Sequence, residues 1–175
     1  MSDPRYPVGK FQPVDQLTDD ERRAHIDTIA AAPSRFRAAV AGLDDAQLDT
    51  PYRDGGWTIR QVVHHVPDSH INAYVRLKLA LTEDNPTILP YDEAAWANVV
   101  DSRITPIDVS LTLLESLHAR WVTLLRALEP RDFARTFRHP EHAGLFSLDK
   151  MLAMYAWHSL HHAAHITTTR ERHGW

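Results

Sequence analysis

The chain has 175 residues, 43% of them hydrophobic and 24% charged, with a formal net charge of −4 when histidine is neutral. That is the make-up of an ordinary globular protein, expected to form one domain over 1–175 and to bury about two-thirds of its unfolded surface. The acidic balance argues against a nucleic-acid or membrane-surface role resting on a basic patch, and the lack of any cysteine excludes disulfides and thiolate metal ligands.

Residues 1–17 carry Pro4, Pro7 and Pro13 and read as an extended lead-in, with no apolar core of a signal peptide. No run of 18 apolar residues occurs, so no membrane span is expected. Thr18-Asp19-Asp20-Glu21 is a capping box, in which the threonine covers a free backbone N–H and the glutamate reaches back. The first helix follows, with Ile26, Ile29, Phe36 and Val40 on its apolar side, a kink expected at Pro33 and a stop at Gly42. Residues 43–57 form a connector ending in Asp54-Gly55-Gly56-Trp57. A second capping box, Thr58-Ile59-Arg60-Gln61, opens a helix running to about Thr82, with a bend expected at Pro67.

The stretch from Asn85 to Asp101 reads as loop. Pro106 precedes a third helix, whose stripe runs through Leu111, Leu114, Leu117, Trp121, Leu124, Leu125 and Leu128, and Pro130 ends it. Residues 131–146 read as a polar loop. Ser147 caps a fourth helix striped by Leu148, Met151, Leu152, Tyr155 and Ile166. Four long helices with little strand signal imply an all-α, four-helix up-down bundle.

Twelve histidines are present, and four of them fall between His158 and His165. Several, such as His25, His139, His142 and His173, read as surface or core-edge residues. On the fourth helix His158 and His162 stand four apart and share a face, so both reach one ion at about 2.0–2.1 Å. His161 and His165 offer the same spacing. His158, His162 and His165 continue the apolar stripe inward, where an imidazole is costly without a partner. A third ligand has to come from elsewhere, and the second helix offers His64, His65 or His70, with the carboxylate of Asp68 beside them. By the apolar phase His64 faces away from the core, His70 lies within the stripe and His65 lies on its edge; periodicity leaves the last two open.

Trp57-Thr58-Ile59-Arg60-Gln61-Val62-Val63-His64-His65 and His158-Ser159-Leu160-His161-His162-Ala163-Ala164-His165-Ile166 resemble the second-helix and fourth-helix motifs of the DinB superfamily. The similarity is closest to its YfiT-like branch and covers nearly the whole chain, including Arg5 to Phe11, Gly55 to His70, Leu79 to Glu83 and Pro90 to Trp96. The resemblance implies three metal ligands, His65, His158 and His162. It further implies one zinc or nickel ion per subunit and a cytoplasmic, homodimeric, metal-dependent hydrolase acting on a small molecule. Related members are low-molecular-weight thiol S-transferases. Many members carry Gln where His165 stands, so His165 is expected as a partner of a ligand or as an extra one. Pro67 replaces an expected small helix former.

Three neutral imidazoles leave a divalent ion its full charge. That charge lowers the pKa of bound water from 15.7 toward about 7, or that of a bound thiol, so hydrolysis and thiol transfer both suit the site. A non-catalytic metal-binding module is the third expectation, favoured if a fourth protein ligand such as His165 closes the site. Asp68 is a candidate for orienting a ligand ring, and His161 and His165 for moving protons. Tyr91, Asp92, Glu93 and Trp96 are placed where a pocket lid would form. Arg60, Arg76 and Arg120 are candidate anion contacts.

Overall fold

The computed structural model describes residues 3–141 and 144–175, so His142 lies outside the described residues. Four long helices dominate: α1 (Asp19–Val40), α3 (Ile59–Thr82), α6 (Ile107–Arg126) and α7 (Leu148–His173). Between them lie short helices α2 (Asp45–Leu48), α4 (Glu93–Trp96) and α5 (Asp101–Ile104), a 3-10 turn at Asp132–Ala134, and strands β1 (Thr136–Arg138) and β2 (Leu145–Ser147).

The local signals act as their chemistry demands. Thr18 Oγ accepts from the Glu21 amide at 3.3 Å while the Glu21 carboxylate accepts from the Thr18 amide at 2.7 Å. Thr58 and Gln61 repeat the exchange at 3.1 and 3.0 Å. Gln61 also donates its Nε2 to the Ala97 carbonyl at 2.7 Å, so one side chain both caps α3 and ties down the segment after it. Ser147 caps α7, and Gly174 ends it in the left-handed region at φ 73°. Pro33 and Pro67 interrupt neither α1 nor α3; each simply lacks the N–H that would have bonded one turn back.

The four-helix bundle is as the sequence leads one to expect, but strict up-down alternation does not hold. Arg22 meets Asp149 near the starts of α1 and α7, and Arg170 meets Ala39 near their ends, so these two run parallel. His64 meets Ser110 and His70 meets His118, so α3 and α6 also run parallel. Each parallel pair packs antiparallel against the other, and the order is up-down-down-up. The cause is residues 83–106, which carry the chain from the end of α3 back to its beginning, where Gln61 and His64 bind Ala97 and Thr105. The polar loop expected at 131–146 holds the antiparallel β1–β2 pair, whose Arg138 also bonds Pro86 and Ile88 of that returning segment.

The core is divided. One apolar cluster holds Ile29, Leu77, Trp121 and Leu152; the other holds Phe36, Val62, Leu114 and Ile166. On α3, α6 and α7 the histidines 70, 118 and 158 fall between the two clusters, so a polar layer crosses the bundle at mid-height. No helix among the described residues is long and apolar enough to cross a membrane.

A buried ion pair closes one end. Arg22 grips both oxygens of Asp149 at 2.8 and 2.7 Å, and the Leu17 amide donates to the same carboxylate at 3.2 Å. Asp149→Ala leaves the buried guanidinium with only the exposed Asp19 carboxylate, 2.7 Å from its Nη1, and we expect a loss of about 3 kcal/mol in urea-induced unfolding.

Candidate metal centre

His65 sits in the second turn of α3, directly after the Thr58 cap. Trp57, which opens that helix, packs on its ring with centroids 4.7 Å apart. His158 and His162 sit one turn apart on α7. Antiparallel packing of α3 on α7 brings all three together, so that one nitrogen from each lies within 4.8 Å of the others. The Nε2 atoms of His65 and His158 are 3.4 Å apart. Two nitrogens held about 2.0–2.1 Å from a tetrahedral ion stand roughly 3.3–3.4 Å from each other, so the spacing suits a metal. His65 and His162 are buried and His158 half-buried. Burial pushes the His65 pKa down to about 4 and those of His158 and His162 well below the usual range, with the neighbouring imidazoles adding to the effect. All three rings are therefore neutral at pH 7, the state in which imidazole is a ligand.

A second group, His161, His162 and His165, also brings its nitrogens within 4.8 Å of one another. His165 Nδ1 lies 3.3 Å from His162 Nδ1, and its ring stacks on Tyr52 at 4.1 Å. His161 stacks on Trp157 at 4.3 Å, and its buried Nδ1 has no hydrogen-bond partner.

The second-helix alternatives go elsewhere. His64, expected to face away from the core, is buried against the returning segment, bonded to Ser110 Oγ at 2.7 Å and the Thr105 carbonyl at 3.1 Å. The returning segment covers a face that the apolar stripe leaves polar, so periodicity gives no sign of this burial. His70 is fully buried, with its Nε2 3.1 Å from His158 Nδ1 and its Nδ1 2.7 Å from His118 Nε2. Asp68 makes no bond to His65; it lies by Asp101, and burial with that neighbour pushes its pKa up to about 6. His118 belongs to no motif, and the one sign of it in the sequence is its place four after Leu114 and three before Trp121, on the apolar stripe of α6.

The centre lies in an open cleft of about 710 Å³, lined among others by Trp57, Ser69, Arg76, Tyr91 and Glu93. Tyr91 and Glu93 come from the returning segment, Trp96 packs on Tyr91 at 4.5 Å, and Asp92 caps α4. Of the three arginines considered as anion contacts, Arg60 is paired with Asp45 and Asp49, and Arg120 lies over the Tyr74 ring. Arg76 lines the cleft and donates to the Leu89 carbonyl at 3.2 Å.

Four helices in up-down-down-up order, with three imidazoles converging from the second and fourth, define a helical-bundle protein built around a tri-histidine centre. The chain belongs to the DinB superfamily, whose model matches residues 28–166. It is 54% identical over its full length, and that of the relative, to a Bacillus mycoides (strain KBAB4) protein named "putative metal-dependent hydrolase". It is 53% identical, again over both full lengths, to a protein of that name from Bacillus cereus (strain 03BB102). Its structure is similar to YfiT from Bacillus subtilis, described as "a probable metal-dependent hydrolase with an unusual four-helix bundle topology". There the TM-score is 0.96 at 46% identity, covering 98% of each chain. TT2238, at 22% identity and TM-score 0.56 over 81% of this chain and 94% of its own, shares the four-helix fold.

The lowered histidine pKa values make the metal-free protein acid-sensitive. Below the unfolded value of 6.5 the unfolded chain takes up protons, while His65, His118, His161 and His165 resist until about 4. Asp68 works in the opposite sense, but it is one group against these four. We expect the urea midpoint of chelator-treated protein to fall steadily from pH 6.5 to pH 4.

Proposed function

We propose that the chain is a metal-dependent hydrolase that holds one zinc or nickel ion on His65, His158 and His162 and acts on a small molecule. The observation that carries this reading is three neutral imidazoles meeting in an open cleft, with the His65 and His158 nitrogens at the spacing of two ligands. When bound, a divalent ion there supplies a Lewis acid that lowers the pKa of water, or of a thiol, toward neutrality.

The chain's own residues do the rest. His65, His158 and His162 present lone pairs and take up no proton at neutral pH. Trp57 fixes the His65 ring by its contact and narrows the cleft on that side. Ser69, Tyr91 and Tyr155 line the cleft together and put hydroxyl groups on its wall. Arg76 places a fixed positive charge on the same wall. The proposal extends to a homodimer. Val99, Val100, Ile104, Val109 and Leu113, in the residues just before α5, at its end and in the first turns of α6, are each exposed, the kind of side chains a second copy would cover.

Metal-loaded protein is incubated with an ester panel, and separately with low-molecular-weight thiols and monochlorobimane. We expect one equivalent of metal by elemental analysis and ester turnover that falls at least about 10²-fold in His158→Ala, which removes one of three ligands. Thiol conjugation with the same sensitivity would make the centre a thiol S-transferase, and inactivity in both assays would favour a non-catalytic metal-binding module. For the dimer, light scattering should give twice the chain mass, falling to one chain in Ile104→Asp.

A further inference from the structure

Behind the tri-histidine centre stand three further imidazoles that the proposed chemistry does not use. His70 is fully buried between α6 and α7, and His118 and His165 are 2% exposed. Each lies within hydrogen-bonding distance of another ring and, directly or through one neighbour, of a main-chain carbonyl. His118 Nδ1 is 2.7 Å from the Ile29 carbonyl oxygen, His118 Nε2 is 2.7 Å from His70 Nδ1, and His70 Nε2 is 3.1 Å from His158 Nδ1. On the other side His165 Nε2 is 3.4 Å from the Arg5 carbonyl oxygen and His165 Nδ1 is 3.3 Å from His162 Nδ1.

The carbonyls fix the direction of both chains. A carbonyl oxygen only accepts, so the nitrogen facing it carries a proton. A neutral imidazole has one N–H and one lone pair, so its other nitrogen must accept. His118 therefore donates from Nδ1 to Ile29 and accepts at Nε2. His70 then donates from Nδ1 to His118 and accepts at Nε2, and His158 donates from Nδ1 to His70. The only lone pair left on His158 is at Nε2, the atom that faces His65. In the same way His165 donates to Arg5 and accepts from His162 Nδ1, which leaves His162 its lone pair at Nε2. Burial lowers the pKa of all five rings, in keeping with the neutral forms this scheme needs.

The terminus of the longer chain has its own cause in the sequence. Inside a helix the Ile29 carbonyl would accept from the amide of residue 33, and residue 33 is proline, which has no N–H. Pro33 thus releases the carbonyl that His118 takes up.

We propose that His70, His118 and His165 are positioning residues: two imidazole relays, ended on the Ile29 and Arg5 carbonyls, lock His158 and His162 in the Nδ1–H tautomer before any metal arrives, so that both point Nε2 at the centre. Their use for metal rests on the three-ligand reading above, while the tautomers themselves do not. In that role the relays spare the ion the work of selecting ring states, and partners of this kind usually account for about 10–100-fold in metal affinity.

Long-range proton–nitrogen NMR of metal-free, nitrogen-15-labelled full-length protein at pH 7.5 reads each tautomer directly. The expected result is Nδ1–H for His70, His118, His158 and His162, and Nε2–H for His165. Nε2–H on His158 or His162, or a mixture on either, would overturn the relays. His70→Phe removes the acceptor; His158 should become a tautomer mixture and affinity for Cd(II) should fall about 10–100-fold. His70→Gln returns an acceptor and should restore both, which a merely space-filling role for His70 would not do. Should His70→Phe fail to fold, the wild-type spectrum still decides the matter. Cadmium-113 coupling at Nε2 of His65, His158 and His162 is expected at one equivalent. A second equivalent coupling to His165 Nδ1 would overturn the His165 arm. Expected tautomers with no cadmium bound would sink the metal reading and leave the relays standing.

Discussion

A neutral imidazole brings one donor and one acceptor into the core, and the middle of this bundle is governed by that arithmetic. Among the described residues seven histidines are buried, and an eighth, His158, is half-buried beside them. Their bonds run to main-chain carbonyls, one serine hydroxyl and one another. With donors committed outward to carbonyls, the unmatched lone pairs collect at a single place. Packing above and below the layer is apolar. The centre is where those lone pairs meet, and beside it the buried His161 Nδ1 also stands without a hydrogen-bond partner.

Much of the frame was legible in the sequence because its signals are local. Capping boxes at Thr18 and Thr58, the serine cap at Ser147 and the leucine stripe of α6 each act within a turn or two, and the long helices begin where those residues say. The i, i+4 spacing of His158 and His162 is equally local. The choice of His65 over His70 was not, since phase left both open and the resemblance decided it. The structure brings His65 beside the pair and seats His70 behind it.

What escaped depends on contacts distant in sequence. The direction order turns on residues 83–106, which look like plain loop until Ala97 and Thr105 are seen against Gln61 and His64. Those same contacts bury His64, which periodicity sent to solvent. Pro33 reads as a helix defect; that it frees a carbonyl for a ring 89 residues further on is visible only in three dimensions. The β1–β2 pair is three residues a side and leans on Pro86 and Ile88 for its outer bonds, so it has no periodic signature of its own.

The parallel pairing of α1 with α7 has an electrostatic side. Each helix is a macrodipole, positive at its N-terminus, and antiparallel neighbours cancel where parallel ones add. Two positive ends therefore lie together, and the first turns there carry Asp19, Asp20, Glu21 and Asp149. At the far end two negative termini meet, and Arg170 donates to the Ala39 and Ala41 carbonyls at 2.8 and 3.1 Å, with Arg172 in the same turn. The chain path thus places acidic side chains in the first turns of α1 and α7 and basic ones in their last turns, where they offset the like dipole ends brought together, while α3 and α6 run the other way and oppose that pair.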